Sequence, residues 1–342
     1  MTETLRAAFR AQAEACASLD SPFMARLCTL LADRLTPDAP LTRRLFDWPG
    51  DLTPRGDSLP LRLAGALHAL VLGGDDLAAV YPPNAPSDDG LWRAVEDALT
   101  RHTAFIDAFI DSPPQTNEVR RSAALIAAGH WLAARHPLPF VFSELGASAG
   151  LNLNWDRFAL DLGTTRLGPA EASLTLGPRW QGAPPPTPAP ISVADRAGVD
   201  LNPIDVSDPA QHRRLLAYLW ADQPHRLALT EAAIAAGPPL PVKADAIDWL
   251  QTRLAPRPGQ LHLIWSTIAW QYFPPAAQAR GTELIEAAGA RATDSAPLAW
   301  LAYETDGGHP GAALILRLWP GDLTIDLGRA DFHGRWIDWR AP

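Results

Sequence analysis

The sequence is poor in the residues that build disulfides, zinc sites and phosphate-binding loops. Only two of its 342 residues are cysteines, Cys16 and Cys28, which is too few for a disulfide framework or a four-cysteine zinc site. Lysine occurs once, at Lys243, and this excludes a P-loop and leaves a single candidate for a Schiff base. The nine histidines show no His-Glu-x-x-His spacing. We therefore expect neither a disulfide framework nor a metal centre.

Long apolar runs and a basic surface are also missing. No segment approaches the roughly 18 uninterrupted apolar residues of a membrane-spanning helix. The first 20 residues carry Glu3, Arg6, Arg10 and Glu14 and lack the apolar core of a signal peptide. A net charge of −9 disfavours proteins that grip phosphate backbones. The sequence predicts a cytoplasmic protein that binds neither membrane nor nucleic acid, and it leaves the oligomeric state open.

The length of 342 residues, with 47% hydrophobic content, is enough for two structural units with real cores. Residues 1–116 are predicted to form an all-helical N-terminal domain, because their apolar residues recur at three-and-four spacing. The predicted helices are 5–17, 23–35, 59–72 and 91–110, the last capped by Asp88 and Asp89. Residues 115–118 are predicted to cap the next helix, 118–134, through Thr116 or Asn117.

Residues 117–342 are predicted to form an α/β domain. Short apolar runs alternate with helical periodicity, which is typical of a parallel, doubly wound sheet. The last runs follow one another closely, so these strands are predicted to be antiparallel. The predicted strands are 138–142, 198–201, 240–244, 261–265, 298–303, 312–319, 323–327 and 336–339. The predicted helices are 209–220, 226–236, 246–254 and 276–288, with a further helix that starts near Gly150.

Residues 158–191 are predicted to be an insertion in this domain. The segments 158–162 and 172–176 have the apolar pattern of a β-hairpin. The stretch 178–190 then holds six prolines, which cannot join a central sheet. We expect it to be an extended connector.

Residues suited to ligand binding follow three of the predicted strands. Glu144-x-Gly146-x-x-x-Gly150 lies between a strand and a helix, where a tight turn can bring a ligand against backbone N–H groups. Asp200 ends the next strand, where a carboxylate can accept both ribose hydroxyls. Asp245 ends the third, where an acid and the following amide can recognise an adenine edge. Ligands of open α/β sheets bind at this rim, so the sequence predicts a nucleoside site.

Two resemblances follow from these strings. The sequences ELGASAG at 144–150, GVDLNP at 198–203 and KADA at 243–246 resemble motifs I, II and III of the class I S-adenosylmethionine-dependent methyltransferases. The segments 115–119, 146–153 and 200–205 resemble an uncharacterised bacterial family, domain of unknown function 2332. The first resemblance implies a Rossmann-like methyltransferase-type sheet, S-adenosylmethionine as cofactor without a metal, and a small-molecule or protein acceptor.

The methyltransferase resemblance also implies a set of cofactor-binding residues: Glu144, Gly146, Ala147, Ser148, Gly150, Asp200, Leu201, Asp245, Ala246 and Ser266. Ser148 stands where a glycine is commoner in the motif. Asp200 follows Gly150 by more than the roughly 20 residues typical of nucleotide folds, so the insertion must loop out, and Asp161 is the alternative ribose acid. No motif for methylating an amino group or cytosine is present, so the catalytic residue stays open.

The acceptor site has weaker signals. Trp265, Trp270 and Tyr272 follow the fourth predicted strand, where a methyltransferase shapes its acceptor pocket, but tryptophans also serve core packing. The helical domain is expected to cover the rim and exclude water.

Two other functions remain open. Residues 146–150 also match Gly-x-Ser-x-Gly, the nucleophile turn of α/β-hydrolases. Ser148 would then be the nucleophile of an esterase, completed by Asp306 with His309 or by Asp326 with His333. The long helical region before the first strand and the missing oxyanion loop disfavour this class. The other alternative is a non-catalytic protein that binds an adenosyl ligand, because a fold alone does not give function. A nicotinamide site is disfavoured because the glycine spacing differs from Gly-x-Gly-x-x-Gly.

Overall fold

A computed structural model describes residues 2–53 and 56–341 of the chain. Its α-helices are α1 Thr2–Ser18, α2 Pro22–Arg34, α3 Pro40–Phe46, α4 Leu59–Leu72, α5 Asp88–Arg101, α6 Thr103–Ile110, α7 Ser122–Arg135, α8 Pro209–Ala217, α9 Pro224–Ala235, α10 Ala246–Arg253 and α11 Pro275–Gly289. Short 3-10 helices are Asp76–Val80, Val119–Arg121, Leu151–Arg157 and Trp270–Tyr272. In this part of the chain no helix combines the length and the apolar content needed to cross a bilayer.

The strands are β1 Phe140–Leu145, β2 Ala159–Asp161, β3 Arg166–Leu167, β4 Thr175–Leu176, β5 Arg179–Gly182, β6 Val193–Asp200, β7 Val242–Lys243, β8 Leu261–Thr267, β9 Leu298–Glu304, β10 Ala312–Trp319, β11 Leu323–Ala330 and β12 Trp336–Trp339. The chain divides into two compact units. The first combines Met1–Thr116 with Val206–Ala228, and the second combines Asn117–Asp205 with Leu229–Pro342.

The first unit is helical, as its apolar periodicity predicts. Its α4 is buried on almost every side, as expected of a helix at the centre of a core. Gly65 on α4 lets the Tyr218 ring approach closely, since a Cβ there would lie 2.6 Å from the ring. This contact shows why the short segment after α8 belongs to the helical unit.

The predicted helix over 91–110 is in fact two helices. His102 separates α5 from α6 with φ −112° and ψ 25°, and its Nε2 lies 2.7 Å from the Asp75 carboxylate. The start of α5 also differs, because the Ser87 hydroxyl caps it by accepting from Gly90 N at 3.1 Å. Asp88 and Asp89 lie in the first turn, where their charge favours the helix dipole. The seven-residue α3 is too short for periodicity to predict.

The second unit is built on a nine-stranded, mostly parallel sheet. Its order is β5-β12-β11-β10-β9-β8-β1-β6-β7. The pairs from β7 to β9 are parallel, and β9 to β12 are joined by antiparallel pairs. In chain order the five parallel strands run 3-2-1-4-5, so the order reverses between β1 and β8. This reversal is the position at which open α/β sheets bind ligands.

Residues of β1 and β8 are buried on both faces of the sheet, as expected for central parallel strands. On one face Phe142 stacks with Trp155 at 4.8 Å and meets the edge of Trp265. On the other face Leu145 and Ile264 belong to a core with residues of α10 and α11. Apolar packing on both faces of the sheet therefore holds β1 and β8 in place.

The insertion departs from the predicted hairpin. The segment β2 pairs antiparallel with β3, whereas β4, the predicted hairpin partner, pairs with β2 in parallel. The physical reason is that Arg166 and Leu167 follow β2 closely in sequence, so a short turn brings them back to pair with it before the chain reaches β4. After Pro178 the chain forms β5, which pairs with β12 at the outer edge of the large sheet, where a proline-rich segment is tolerated.

The predicted helix near Gly150 is also absent. The 3-10 helix Leu151–Arg157 takes its place, and Asn154 inside it has non-helical φ −101° and ψ 17°. Asn152 and Asn154 are buried and bond to distant segments: Asn152 Oδ1 accepts from Ser122 at 2.8 Å and Asn154 Nδ2 donates to Gly237 O at 3.3 Å. Such side-chain bonds compete with a regular helix.

Candidate functional site

The turn after β1 has three residues with left-handed backbone. Gly146, Ser148 and Gly150 have φ of 72°, 53° and 71°. A Cβ at Gly146 would lie 2.5 Å from the Ala269 Cβ, and one at Gly150 would lie 2.4 Å from the Pro239 carbonyl oxygen. Both glycines are therefore required by conformation and by space. Ser148 is a non-glycine residue in this strained region, which is a common property of functional turns.

The backbone amides of this turn are already hydrogen-bonded inside the protein. Gly146 and Ala147 donate to Val199 O at 3.0 Å, and Gly150 donates to Ala147 O at 2.7 Å. Ser148 N donates to Asp200 Oδ2 at 2.8 Å. This differs from the expectation that the amides face a ligand, because the turn uses them to attach itself to β6. A ligand here would have to be recognised mainly by side chains.

Asn117 accounts for the remaining amides of the turn. Its Oδ1 accepts from Leu151 N at 2.9 Å and from Ala149 N at 3.3 Å. The predicted capping role of Thr116 or Asn117 is therefore wrong. Glu118 is the capping residue, and its side chain accepts from Arg120 N at the start of the 3-10 helix Val119–Arg121.

Glu144 is the second-last residue of β1 and carries a buried carboxyl, with 1% of its surface exposed. Its Oε2 has no hydrogen-bond partner among the described residues. Burial and, to a smaller extent, the Asp200 carboxylate raise the pKa of Glu144, while the Trp265 indole and the Arg121 guanidinium lower it, and the net result is a pKa of about 8. Since a neutral carboxyl is an O–H donor as well as an acceptor, this group can exchange a proton near neutral pH.

Of the ten buried side-chain atoms without a regular hydrogen bond among the described residues, four belong to residues near the point where the strand order reverses. Trp265 lies opposite Glu144 in the β1–β8 register, and Ser266 is the next residue of β8. Four buried atoms here make no hydrogen bond of regular geometry within the part of the chain that the structure describes: Glu144 Oε2, Ser148 Oγ, Trp265 Nε1 and Ser266 Oγ. The Trp265 indole still lies close enough to Glu144, and the Ser266 hydroxyl close enough to Glu304, to lower the pKa of these carboxyls. Ser148 Oγ has neither kind of contact with a described residue. Buried polar groups normally have partners, and exceptions call for a bound molecule or a chemical role.

Asp200 and Leu201 lie at the end of β6, beside this cluster. Asp200 is half-buried, and its Oδ1 accepts from Asn202 N at 2.8 Å while Oδ2 holds Ser148 N. Leu201 is 64% exposed. The pair offers a fixed carboxylate next to an open apolar surface.

Asp245 and Ala246 follow β7, the edge strand. The Asp245 carboxylate caps α10 by accepting from Ile247 N at 2.8 Å and Asp248 N at 3.0 Å, and the side chain is exposed. Ala246 opens α10 and is buried against the core. Capping thus accounts for one oxygen of Asp245, and Oδ2 has no hydrogen-bond partner within residues 2–53 and 56–341.

The end of β8 contains features that the sequence analysis missed. Ile268 has φ 53°, which is a strained conformation for a β-branched residue. Glu304, at the end of β9, accepts from Ala269 N and Trp270 N at 3.0 and 3.1 Å. Burial raises the pKa of Glu304, and these amides oppose the rise. Glu304 directly follows a predicted strand, the same signal that identified Asp200, whereas nothing in the sequence marks Ile268.

The aromatic residues after β8 divide between core and surface. Trp265 is fully buried, whereas Tyr272 is 63% exposed. Trp270 packs against Trp300 and Phe273. Of the three predicted pocket residues, Tyr272 is exposed, Trp270 is half-buried and Trp265 is fully buried.

The alternative ribose acid lies in a different place. Asp161 belongs to the small sheet of the insertion, and its Oδ1 accepts from Gly163 N at 2.9 Å in a turn. Its side chain is 51% exposed. Local turn geometry accounts for its position.

The residues of the serine-esterase alternative have other partners. Ser148 Oγ has no partner among the residues described, so no Ser–His hydrogen bond is present. Asp306 pairs with Arg329 and Asp326 with Arg340. His309 is exposed, and the His333 amide donates to Asp331.

The two thiols contact each other inside the helical unit. Cys16 on α1 and Cys28 on α2 are free and buried in the core of the helical unit. Within residues 2–53 and 56–341, no group of three or more His, Cys, Asp or Glu side chains is arranged to hold a metal ion.

Comparison with known proteins gives one match. A bacterial family described as "Uncharacterized protein conserved in bacteria (DUF2332)" matches residues 6–339. No curated protein and no solved structure matches the chain.

Proposed function

The chain belongs to the DUF2332 family, and we propose that it is an S-adenosylmethionine-dependent methyltransferase acting on a small-molecule or protein acceptor. The observation that carries the proposal is the group of four buried polar atoms without a regular hydrogen bond, near the ends of β1 and β8 and in the turn after β1. They lie at the reversal of strand order, in the last residues of β1 and β8 and in the turn after β1. This is the crevice in which the doubly wound fold binds nucleotides.

The side chains at this rim suit an adenosyl ligand with cationic groups. A carboxylate has about four acceptor positions, so Asp200 can accept ribose hydroxyls and still hold Ser148 N. Leu201 offers an exposed apolar surface for the base. Glu144 and Glu304 supply buried carboxyls that favour positive charge once they are ionised.

S-adenosylmethionine, when bound, supplies an activated methyl group on a positively charged sulfur. The chain then has to bind and orient both reactants, since methyl transfer depends mainly on in-line positioning. Glu144 is the buried group best suited to take up a proton from an acceptor, because its pKa of about 8 is near neutral. A protein that binds the ligand without catalysis is the second candidate, because the acceptor is not identified.

Calorimetric titration with S-adenosylhomocysteine tests the proposal. Asp200→Asn should weaken binding about 10- to 100-fold, because hydrogen bonds to a charged group contribute about 1.5–3 kcal/mol. Asp161→Asn is the matched control: its carboxylate also accepts a backbone amide, and we expect unchanged binding. If the wild-type protein binds neither this ligand nor S-adenosylmethionine, the proposal is refuted. Binding without transfer of a tritiated methyl group to any component of a cell extract would favour the non-catalytic candidate.

A further inference from the structure

We infer that Asn117 is a positioning residue of the adenosyl-ligand site, which it serves by holding the turn after β1 in its binding conformation. The inference rests on the proposed function. Asn117 is 95% buried, and its one carbonyl oxygen joins the amides of Ala149 and Leu151. These amides flank Gly150, which has φ 71°. A single acceptor therefore fixes the part of the turn where the backbone reverses.

The position of Asn117 is itself fixed by the residues that follow it. Arg121 Nη1 donates to Thr267 O at 2.8 Å, at the end of β8, and its Nε donates to Phe332 O at 2.9 Å. Ser122 Oγ donates to Asn152 Oδ1 at 2.8 Å. The segment 117–122 is thus attached to the ends of several strands, and a rigid support of this kind is what keeps binding groups in place.

The turn transmits this support to the groups that face the ligand. Ser148 N donates to Asp200 Oδ2 at 2.8 Å, and Ser148 O accepts from Ile204 N at 3.0 Å. If the turn relaxes, the Asp200 carboxylate loses one of the donors that orient it, the one on Oδ2. Removing an outer partner of a metal ligand typically changes affinity 10- to 100-fold, and we expect an effect of this size at Asp200. Asn117 therefore acts on the ligand through Asp200 and needs no contact with it.

The test compares Asn117→Leu, which removes the acceptor oxygen, with Asn117→Asp, which keeps it. Hydrogen exchange of the amides of Ala149 and Leu151, measured without ligand, reports on the turn directly. Calorimetry with S-adenosylhomocysteine reports on the site. We expect Asn117→Leu to speed exchange at both amides and to weaken binding at least 10-fold, and Asn117→Asp to keep slow exchange and bind within about 5-fold of the wild type.

Asn154→Leu controls for a general loss of stability. Asn154 is also buried, and it bonds to the carbonyls of Ala236 and Gly237. We expect that variant to be destabilised without a change in affinity. Equal binding by wild type and Asn117→Leu, or slow exchange in Asn117→Leu, would overturn the inference while leaving the proposed function intact. Absence of binding by the wild type would instead refute the proposed function and, with it, this inference.

Discussion

Replacing Glu144 by glutamine tests the buried carboxyl at the reversal of the sheet. In the folded protein burial raises its pKa from 4.5 to about 8. The folded state therefore holds a proton that the unfolded state releases above about pH 4.5, and stability must fall as the pH rises through this window. Glutamine keeps the shape and the neutral charge at every pH. The difference between the two proteins thus isolates the ionisation of one group.

The magnitude follows from the shift. Each pKa unit corresponds to 1.36 kcal/mol, so a rise from 4.5 to about 8 amounts to about 5 kcal/mol. We expect the two proteins to differ least near pH 4.5, with Glu144→Gln becoming more stable by about 5 kcal/mol by pH 9. The nearby charges of Asp200 and Arg121 are the same in both proteins. A difference of this size is a large part of the 5–15 kcal/mol that a domain has in total.

Urea unfolding at one-unit intervals from pH 5 to 9, followed by tryptophan fluorescence, measures the difference. Glu283→Gln is the control, because Glu283 is an exposed glutamate on α11, and it should keep the wild-type pH profile. Parallel pH profiles for the wild type and Glu144→Gln would refute the reasoning. They would mean that Glu144 stays charged in the folded protein.

Two further predictions concern the turn after β1. Gly146→Ala should destabilise the protein by about 1–3 kcal/mol in thermal or urea unfolding. The new Cβ would lie 2.5 Å from the Ala269 Cβ, at a residue whose φ is 72°. An unchanged unfolding midpoint would mean that the turn and the segment around Ala269 can move apart at no cost. Ser148→Gly should leave S-adenosylhomocysteine affinity within about 1 kcal/mol of the wild type, the scale of one neutral hydrogen bond. Neither the wild type nor Ser148→Gly should react with a fluorophosphonate probe. Stoichiometric labelling of Ser148 in the wild type would support the esterase.

Elements with strong local signals agree with the sequence predictions. The bounds of α4, β10 and β12 coincide with the predicted ranges, because each depends on the periodicity of its own apolar residues. The α/β class and the antiparallel final strands follow from the spacing of such segments. Residues that are close together in the sequence are enough to determine these features.

Features that depend on distant residues could not be predicted. The bonds from Glu304 to the amides after β8 span 34 and 35 residues of sequence, and the bond from Leu151 to Asn117 spans 34. At Asn117 the capping pattern was the strongest local signal, and a tertiary contact replaced it. The break at His102 likewise depends on Asp75, 27 residues earlier.

The helical unit is discontinuous in sequence, because residues 206–228 return to it, and this limits how the protein can be divided. Ala217 and Tyr218 belong to the same apolar core as α1, α2 and α4. A fragment that begins at Asn117 would carry this segment without the core that buries it. The apolar side chains of the segment would then be exposed to solvent and would favour aggregation. A separable sheet unit would instead need Asp205 joined to Leu229 by a short linker. An exchange of whole domains meets the same obstacle, because neither unit is one continuous stretch of sequence.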